Sequence, residues 1–151
     1  MKMEFSKGQY RDLLKMCEIA NSVYGILGDA VSEDYKKQSR RIEELQRYLL
    51  SFADQFGCSE MKELYKGEII PSDMFSEKIR EVMDNYNDET FWYELETRLG
   101  KRDFEKDMTK EERKEAKKDG WLPFRVHDFY EKWTKEFEEH GVDRLGIIEK
   151  K

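Results

Sequence analysis

The amino-acid sequence predicts an all-α fold: an antiparallel helical hairpin packed with about four further helices, bundle-like. Three observations carry that prediction. Apolar residues between Tyr10 and Phe56 recur every three or four positions, cap-forming residues recur at helix-length intervals, and aromatics at 13% argue against disorder. Tyr10, Leu13, Cys17, Ala20, Tyr24, Leu27 and Val31 make one stripe, and Tyr35, Gln38, Ile42, Leu45, Leu49, Phe52 and Phe56 make a second. With 3.6 residues per turn, that spacing places each set on one helix face.

Taken in order, Ser6 with Gln9 is a capping-box pattern, in which each side chain satisfies an orphan backbone donor, so the first helix starts near Lys7. Its end is read at Leu27, with Gly28 as a left-handed cap. Ser32 then caps the second helix, and Glu33 and Asp34 face the positive end of its dipole. A connection this short forces the two helices antiparallel. Gly57 closes the second helix and puts Cys58 where a Schellman cap folds an apolar side chain back on the last turn. A short helix is expected over 59–66, closed by Gly67, and then an extended run to Pro71. Proline removes a backbone donor, which makes 67–72 the clearest joint in a chain otherwise read as one helical domain over 1–151.

Ser72 caps a helix through Tyr86, and Asn87 or Asp88 starts another that carries Phe91, Trp92, Leu95 and Leu99, with Gly100 inside it and Phe104 extending its buried face. Thr109 with Glu112 is a second capping box, opening a helix over 110–118 too polar to be core. Gly120 ends it and directs Trp121 back over Ala116. Pro123 suits the first turn of the last helix, whose Val126, Phe129, Tyr130, Trp133 and Phe137 lie on one side and which closes at Gly141, with Val142 over Phe137. The tail from Leu145 to Ile148 is apolar enough to dock, and Lys150 and Lys151 fray.

Composition narrows the functional classes. Charged residues at 41% exceed hydrophobic residues at 38%, which suits thin helical layers with much solvated surface. The net charge of −6 is spread along the chain, so generic attraction to nucleic acid or anionic lipid is not expected. The basic clusters around Lys36–Arg41 and Lys110–Lys118 are interleaved with acids and pair or face water. An acidic mimic of DNA would need a denser acidic stripe. No secretory run or membrane span is visible, so the expected location is cytoplasmic and no membrane partner is expected. Cys17 and Cys58 fall too far apart along the hairpin to pair.

Reactive constellations are weak. Neither His127 nor His140 has a glutamate three residues before it, as inward-facing di-iron helices require; those positions hold Phe124 and Phe137. His127 with Glu131, or Glu136 with His140, could offer two metal ligands from one helix face, but two ligands are more often a surface charge pair. No nucleophile elbow is present, and Gly25 to Gly28 lacks the strand and lysine of a phosphate loop. Glu94 and Asp103 are the candidate carboxylates for acid and base work. Their bland reading is a solvated face, with Glu94 and Arg98 an ion pair worth about 0.3–0.5 kcal/mol. No cofactor is implied.

The remaining feature is surplus aromatic surface. Trp121, Leu122 and Phe124 follow a wholly polar helix, and such residues anchor protein interfaces unless they simply seal the core beneath that helix, the simpler role for Trp121. The expected function is a non-enzymatic protein–protein interaction or regulatory module. The partner is another protein or a second copy, since the heptad-like stripes allow two hairpins to meet as a four-helix dimer. The alternative is a small hydrolase or metal-assisted enzyme built on Glu94, Asp103 or His127.

Overall fold

The computed structural model describes residues 4–146. Among these, five α-helices and one two-stranded sheet occur in the order α1 (Lys7–Ala30), α2 (Glu33–Leu50), β1 (Lys62–Tyr65), β2 (Glu68–Pro71), α3 (Asp73–Asp107), α4 (Lys110–Asp119) and α5 (Val126–His140). The fold is predominantly α-helical, and the α1–α2 hairpin is its most extensive helix pairing. The chain gathers into two compact units, Met1–Asn85 and Tyr86–Lys151, and the divide falls inside α3.

Unit 1 begins as the capping box requires: Gln9 N–H donates to Ser6 Oγ at 3.3 Å and Ser6 N–H to Gln9 Oε1 at 2.9 Å. The end of α1 differs from expectation. The helix runs on to Ala30, and Gly28 is an interior residue without a positive φ. A Cβ at Gly28 would sit 2.8 Å from Lys36 Cα and 2.9 Å from Lys36 N, so the glycine serves close approach of α2 and not a turn. Ser32 is the N-cap of α2, although its side chain makes no capping bond.

Tyr10, Leu14, Leu50, Ala53, Cys58, Met61, Phe75 and Ile79 form the core of this unit. Burying each large side chain contributes roughly 1.5–3 kcal/mol before entropy is counted. Tyr10 stacks on Phe56 at 4.2 Å and donates its hydroxyl to Leu49 O at 2.6 Å. The inward face of α2 lies one residue away from the expected stripe: Gln46 and Leu50 are buried, and Leu45 is exposed. Polar pairing explains the offset. Gln46 donates its Nε2–H to Glu18, whose other oxygen accepts from Ser76 Oγ at 3.1 Å, so one carboxylate links α1, α2 and α3. At the tip side of the seam Ser39 Oγ donates to Asn21 Oδ1 at 2.8 Å.

Helix α2 ends at Leu50, and turns carry the chain to Gly57. There the Schellman closure forms: Cys58 N–H reaches Ala53 O at 2.8 Å, Gly57 N–H reaches Asp54 O at 3.1 Å, and Gly57 has φ 63°. Cys58 is buried over that turn, and Cys17 is buried on α1; neither is bonded to another cysteine.

The helix expected over 59–66 is absent. A 3-10 turn covers Ser59–Met61, and β1 then pairs antiparallel with β2 from Lys62↔Pro71 to Tyr65↔Glu68. Lys66 and Gly67 supply the two positive φ values, 52° and 87°, that a two-residue hairpin turn of type I′ demands. Pro71 sits at the end of the sheet, where its missing donor costs least. The expected joint at 67–72 therefore lies within unit 1, as the closing half of this hairpin. Beyond it, Ser72 Oγ donates to Glu60 O at 2.7 Å and accepts from Phe75 N–H at 3.4 Å, starting α3 as a cap should.

The two helices expected over 72–86 and from 87 onward are a single 35-residue helix. No glycine or proline occurs between residues 73 and 99, and Asn87 and Asp88 disfavour a helix too mildly to break it. In unit 2, Phe104, Val126 and Phe137 are buried, and Phe104–Phe129, Trp92–Phe137 and Trp133–Phe137 pack with ring centroids 5.4–5.5 Å apart. Gly100 lies inside α3, as expected, because a Cβ there would meet Tyr130 Cδ1 at 2.6 Å. Helix α4 has no buried residue and carries the complete Thr109–Glu112 capping box. Helix α5 begins at Val126, after single-turn bonds from Val126 N–H to Pro123 O and His127 N–H to Phe124 O, both 3.0 Å, so Pro123 precedes the helix. Gly141 closes it, with its N–H on Phe137 O. Leu145 is exposed, while Ile147, Ile148, Lys150 and Lys151 lie outside the described residues. No described helix is long and apolar enough to cross a membrane.

The glycine contacts make opposite predictions for two neighbouring positions. Gly28→Ala should lower the urea midpoint, corresponding to about 1–3 kcal/mol of overpacking. Gly25→Ala has only Ser39 Oγ nearby, at 3.8 Å, and should raise it by up to about 1 kcal/mol through helix propensity.

Candidate interaction surface

Three short segments of unit 2 converge on Arg125: the end of α3, the start of α4 and the turn that enters α5. Arg125 grips Glu112 with a two-pronged contact, Nε to Oε1 at 2.8 Å and Nη2 to Oε2 at 2.9 Å. Its Nη1 donates to Asp107 Oδ2 at 2.7 Å. The guanidinium also lies over the rings of Phe104 and Phe129, at 5.1 and 5.5 Å. A planar, delocalised cation can do all three at once, which a lysine cannot.

Glu112 is shared between two tasks. While holding Arg125 it accepts Thr109 N–H on Oε2 at 2.8 Å, completing the cap of α4. Arg125 first, and then the Thr109 backbone N–H, hold its carboxyl down to about 2 from an ordinary 4.5. The same two carboxylates, Glu112 before Asp107, raise the Arg125 pKa further. The connection between α4 and α5 is thus fixed at its base by charge and left bare at its tip.

That tip is aromatic. Trp121 is 80% exposed and Phe124 84% exposed, while Leu122 and Pro123 beside them are half-buried. The expected folding of Trp121 over Ala116 does not occur: Gly120, with φ 75°, returns its N–H to Ala116 O, and the indole stands in solvent. From Phe124 a row continues along α5. Phe124 meets the imidazole of His127 at 4.9 Å, and His127 meets Tyr130 edge-on at 5.5 Å. Burial first, and then the nearby Tyr93 phenol, raise the Tyr130 pKa.

The other candidate residues lie apart from this row or within it in a different role. Glu94 is exposed and takes Arg98 Nε at 2.8 Å, one turn along. Asp103 is nine residues further, about 13 Å along the axis and half a turn round, on the opposite face of α3. Asp103 is already occupied: Arg102 Nε binds Oδ1 at 2.8 Å, Trp133 Nε1 donates to Oδ2 at 3.0 Å, and Lys106 sits 3.4 Å from Oδ1. Arg102 above all, helped by Trp133 and Lys106, holds its pKa at about 2. His127 and Glu131 are both exposed, and among the described residues no group of three or more His, Cys, Asp or Glu side chains could hold a metal ion. A recess of about 260 Å³ beside Trp133 is lined by Lys132, Glu136 and Arg144, where Arg144 Nε is spent on Glu136 at 3.1 Å.

No protein family, curated protein or solved structure matches the chain. The surface must be read from its own chemistry.

Arg125 is the residue the sequence reading passed over. Its signal is local: Glu112 closes a capping box and retains an acceptor, and Arg125 is the one cation within the apolar run from Trp121 to Val126.

Because the folded pKa of Glu112 is lowered, its contribution to stability is complete above about 4.5 and is lost as pH falls towards about 2. All three tryptophans, Trp92, Trp121 and Trp133, lie in unit 2, so their fluorescence reports this unit. Glu112→Gln should flatten the fluorescence-monitored loss of stability across that window and lower stability at pH 7.

Proposed function

We propose that this chain is a non-enzymatic protein-binding module whose contact surface is the row Trp121, Phe124, His127 and Tyr130. The observation that carries the reading is the coexistence of two large aromatic side chains more than three-quarters exposed with a tightly clamped base. Exposed Trp and Phe are costly in water and are the side chains from which interface hot spots are built. A preorganised tip loses little conformational entropy on binding, which is where much affinity is otherwise spent. Half-buried Leu122, between Trp121 and Phe124 in the chain, belongs to the same surface.

The partner is a protein whose surface offers an apolar groove or shelf for two ring side chains. A second copy of the chain would satisfy the same chemistry, and light scattering distinguishes the two. The hydrolase or metal-assisted reading finds less support, since Glu94 and Asp103 stand on opposite faces of α3 and each already holds an arginine.

A Trp121→Ala, Phe124→Ala variant should keep its thermal midpoint to within about 0.5 kcal/mol of stability, since both side chains are exposed. It should lose the protein captured by the wild type in quantitative affinity purification, or the dimer peak if the partner is a second copy. An unchanged capture profile and unchanged mass would overturn the reading.

A further inference from the structure

Unit 1 carries a second feature that the aromatic row does not use. Between α1 and α3 a small, fairly enclosed pocket of about 60 Å³ has Met61, Phe75 and Ile79 as its floor and Met74 at its lip. The three floor residues are core members, while Met74 is exposed. Arg11, Lys15 and Lys78 stand round the opening, with Glu60 the one carboxylate that lines it.

Those three cations are neutralised unequally. Arg11 Nη2 approaches Glu60 Oε1 only to 4.0 Å, well beyond the roughly 2.7–2.9 Å of a charge-assisted hydrogen bond. Lys15 is held by Asp12 at 2.9 Å, on the exposed side of α1. Among the described residues Lys78 has no ion pair at all. Over its apolar floor the pocket thus sets three cations against one lining carboxylate, in a chain of net charge −6.

We propose that this pocket is a docking site for an acidic peptide segment of a partner protein, one aliphatic side chain entering the pocket while neighbouring carboxylates meet Arg11 and Lys78. Size limits the guest: a pocket of about 60 Å³ takes no more than the end of a leucine or methionine side chain. Charge chooses the flanks, because carboxylates gain from the cationic rim and a basic segment is repelled by it. Methionine at the floor and lip lets the pocket reshape around different aliphatic ends. One anchor and a few screened charges make a weak contact that depends on salt.

Fluorescence anisotropy on the full chain tests this, using a labelled dodecapeptide with one leucine between two pairs of glutamates. The counterparts carry lysine for each glutamate, or alanine for the leucine. The glutamate–leucine peptide should bind saturably, and affinity should fall on the order of tenfold from 50 to 500 mM NaCl as rim charges are screened. Lys78→Glu should weaken binding at least about fivefold, and Lys78→Arg should preserve it. Lys78 is exposed, so circular dichroism should show both variants folded; if Lys78→Glu unfolds, Lys78→Gln with Arg11→Gln takes its place and should weaken binding likewise. The proposal is overturned if no peptide binds, if the lysine or alanine peptide binds as well as the first, or if the folded charge variant binds unchanged. Binding to phosphatidylserine vesicles that the glutamate–leucine peptide does not displace would equally overturn it, by assigning the patch to membrane.

Discussion

A chain with more charged than hydrophobic residues cannot locate its helices by grease alone, and that shortage governs both units. Where an apolar seam runs out, a partly buried polar group with two or three partners takes over. In unit 1 the carboxylate of Glu18 joins Gln46 and Ser76, so a single side chain sets the relation of three helices. In unit 2 the guanidinium of Arg125 does the corresponding work, with Glu112, Asp107 and two aromatic rings. Each such group is satisfied several times over, which is the condition under which a polar contact specifies a structure instead of weakening it. Among the described residues no buried side-chain nitrogen or oxygen lacks a partner.

The same economy explains how the aromatic tip can be exposed and still be well placed. Helix α4 buries nothing, so it could not be held by packing; its capping box and the grip of Arg125 hold its first turn instead. With the base secured electrostatically, Trp121 and Phe124 are released from any duty in the core. The exposed rings stand on that secured base, while Asp103, Asp107 and Glu112 are engaged in holding segments of unit 2 together. Structure-holding charge and solvent-facing rings are therefore divided between different residues.

Much of the secondary structure could be read from local chemistry. Both capping boxes, the Schellman closure at Gly57 and Cys58, and the ends at Gly120 and Gly141 depend on contacts within six residues, and all stand where the chain itself indicated. Errors arose where the deciding contact was remote or where two rules competed. Gly28 resembled a helix end because its real purpose, room for Lys36, lies on another helix. The α2 stripe was displaced because Gln46, polar by type, is buried by its bond to Glu18. Gly67 reads as a helix stop but sits in a hairpin turn, and the flanking Leu64–Tyr65 and Ile69–Ile70 include the aromatic and β-branched residues that favour strands. The aromatic tip is legible residue by residue in Trp121, Leu122 and Phe124, whereas Arg125 beneath it belongs to no catalytic or metal-binding pattern.

The seam of the α1–α2 hairpin consists of unlike contacts in succession: a hydroxyl on a carbonyl at Tyr10, an amide on a carboxylate at Glu18, a hydroxyl on an amide at Asn21, and bare backbone on backbone at Gly28. An aliphatic zipper can glide by one turn and still find grease opposite grease. Here a one-turn slip would strand every one of these partners and drive a side chain into the notch at Gly28. The joint is keyed like a tenon in its mortise, and it admits the two helices in one alignment only.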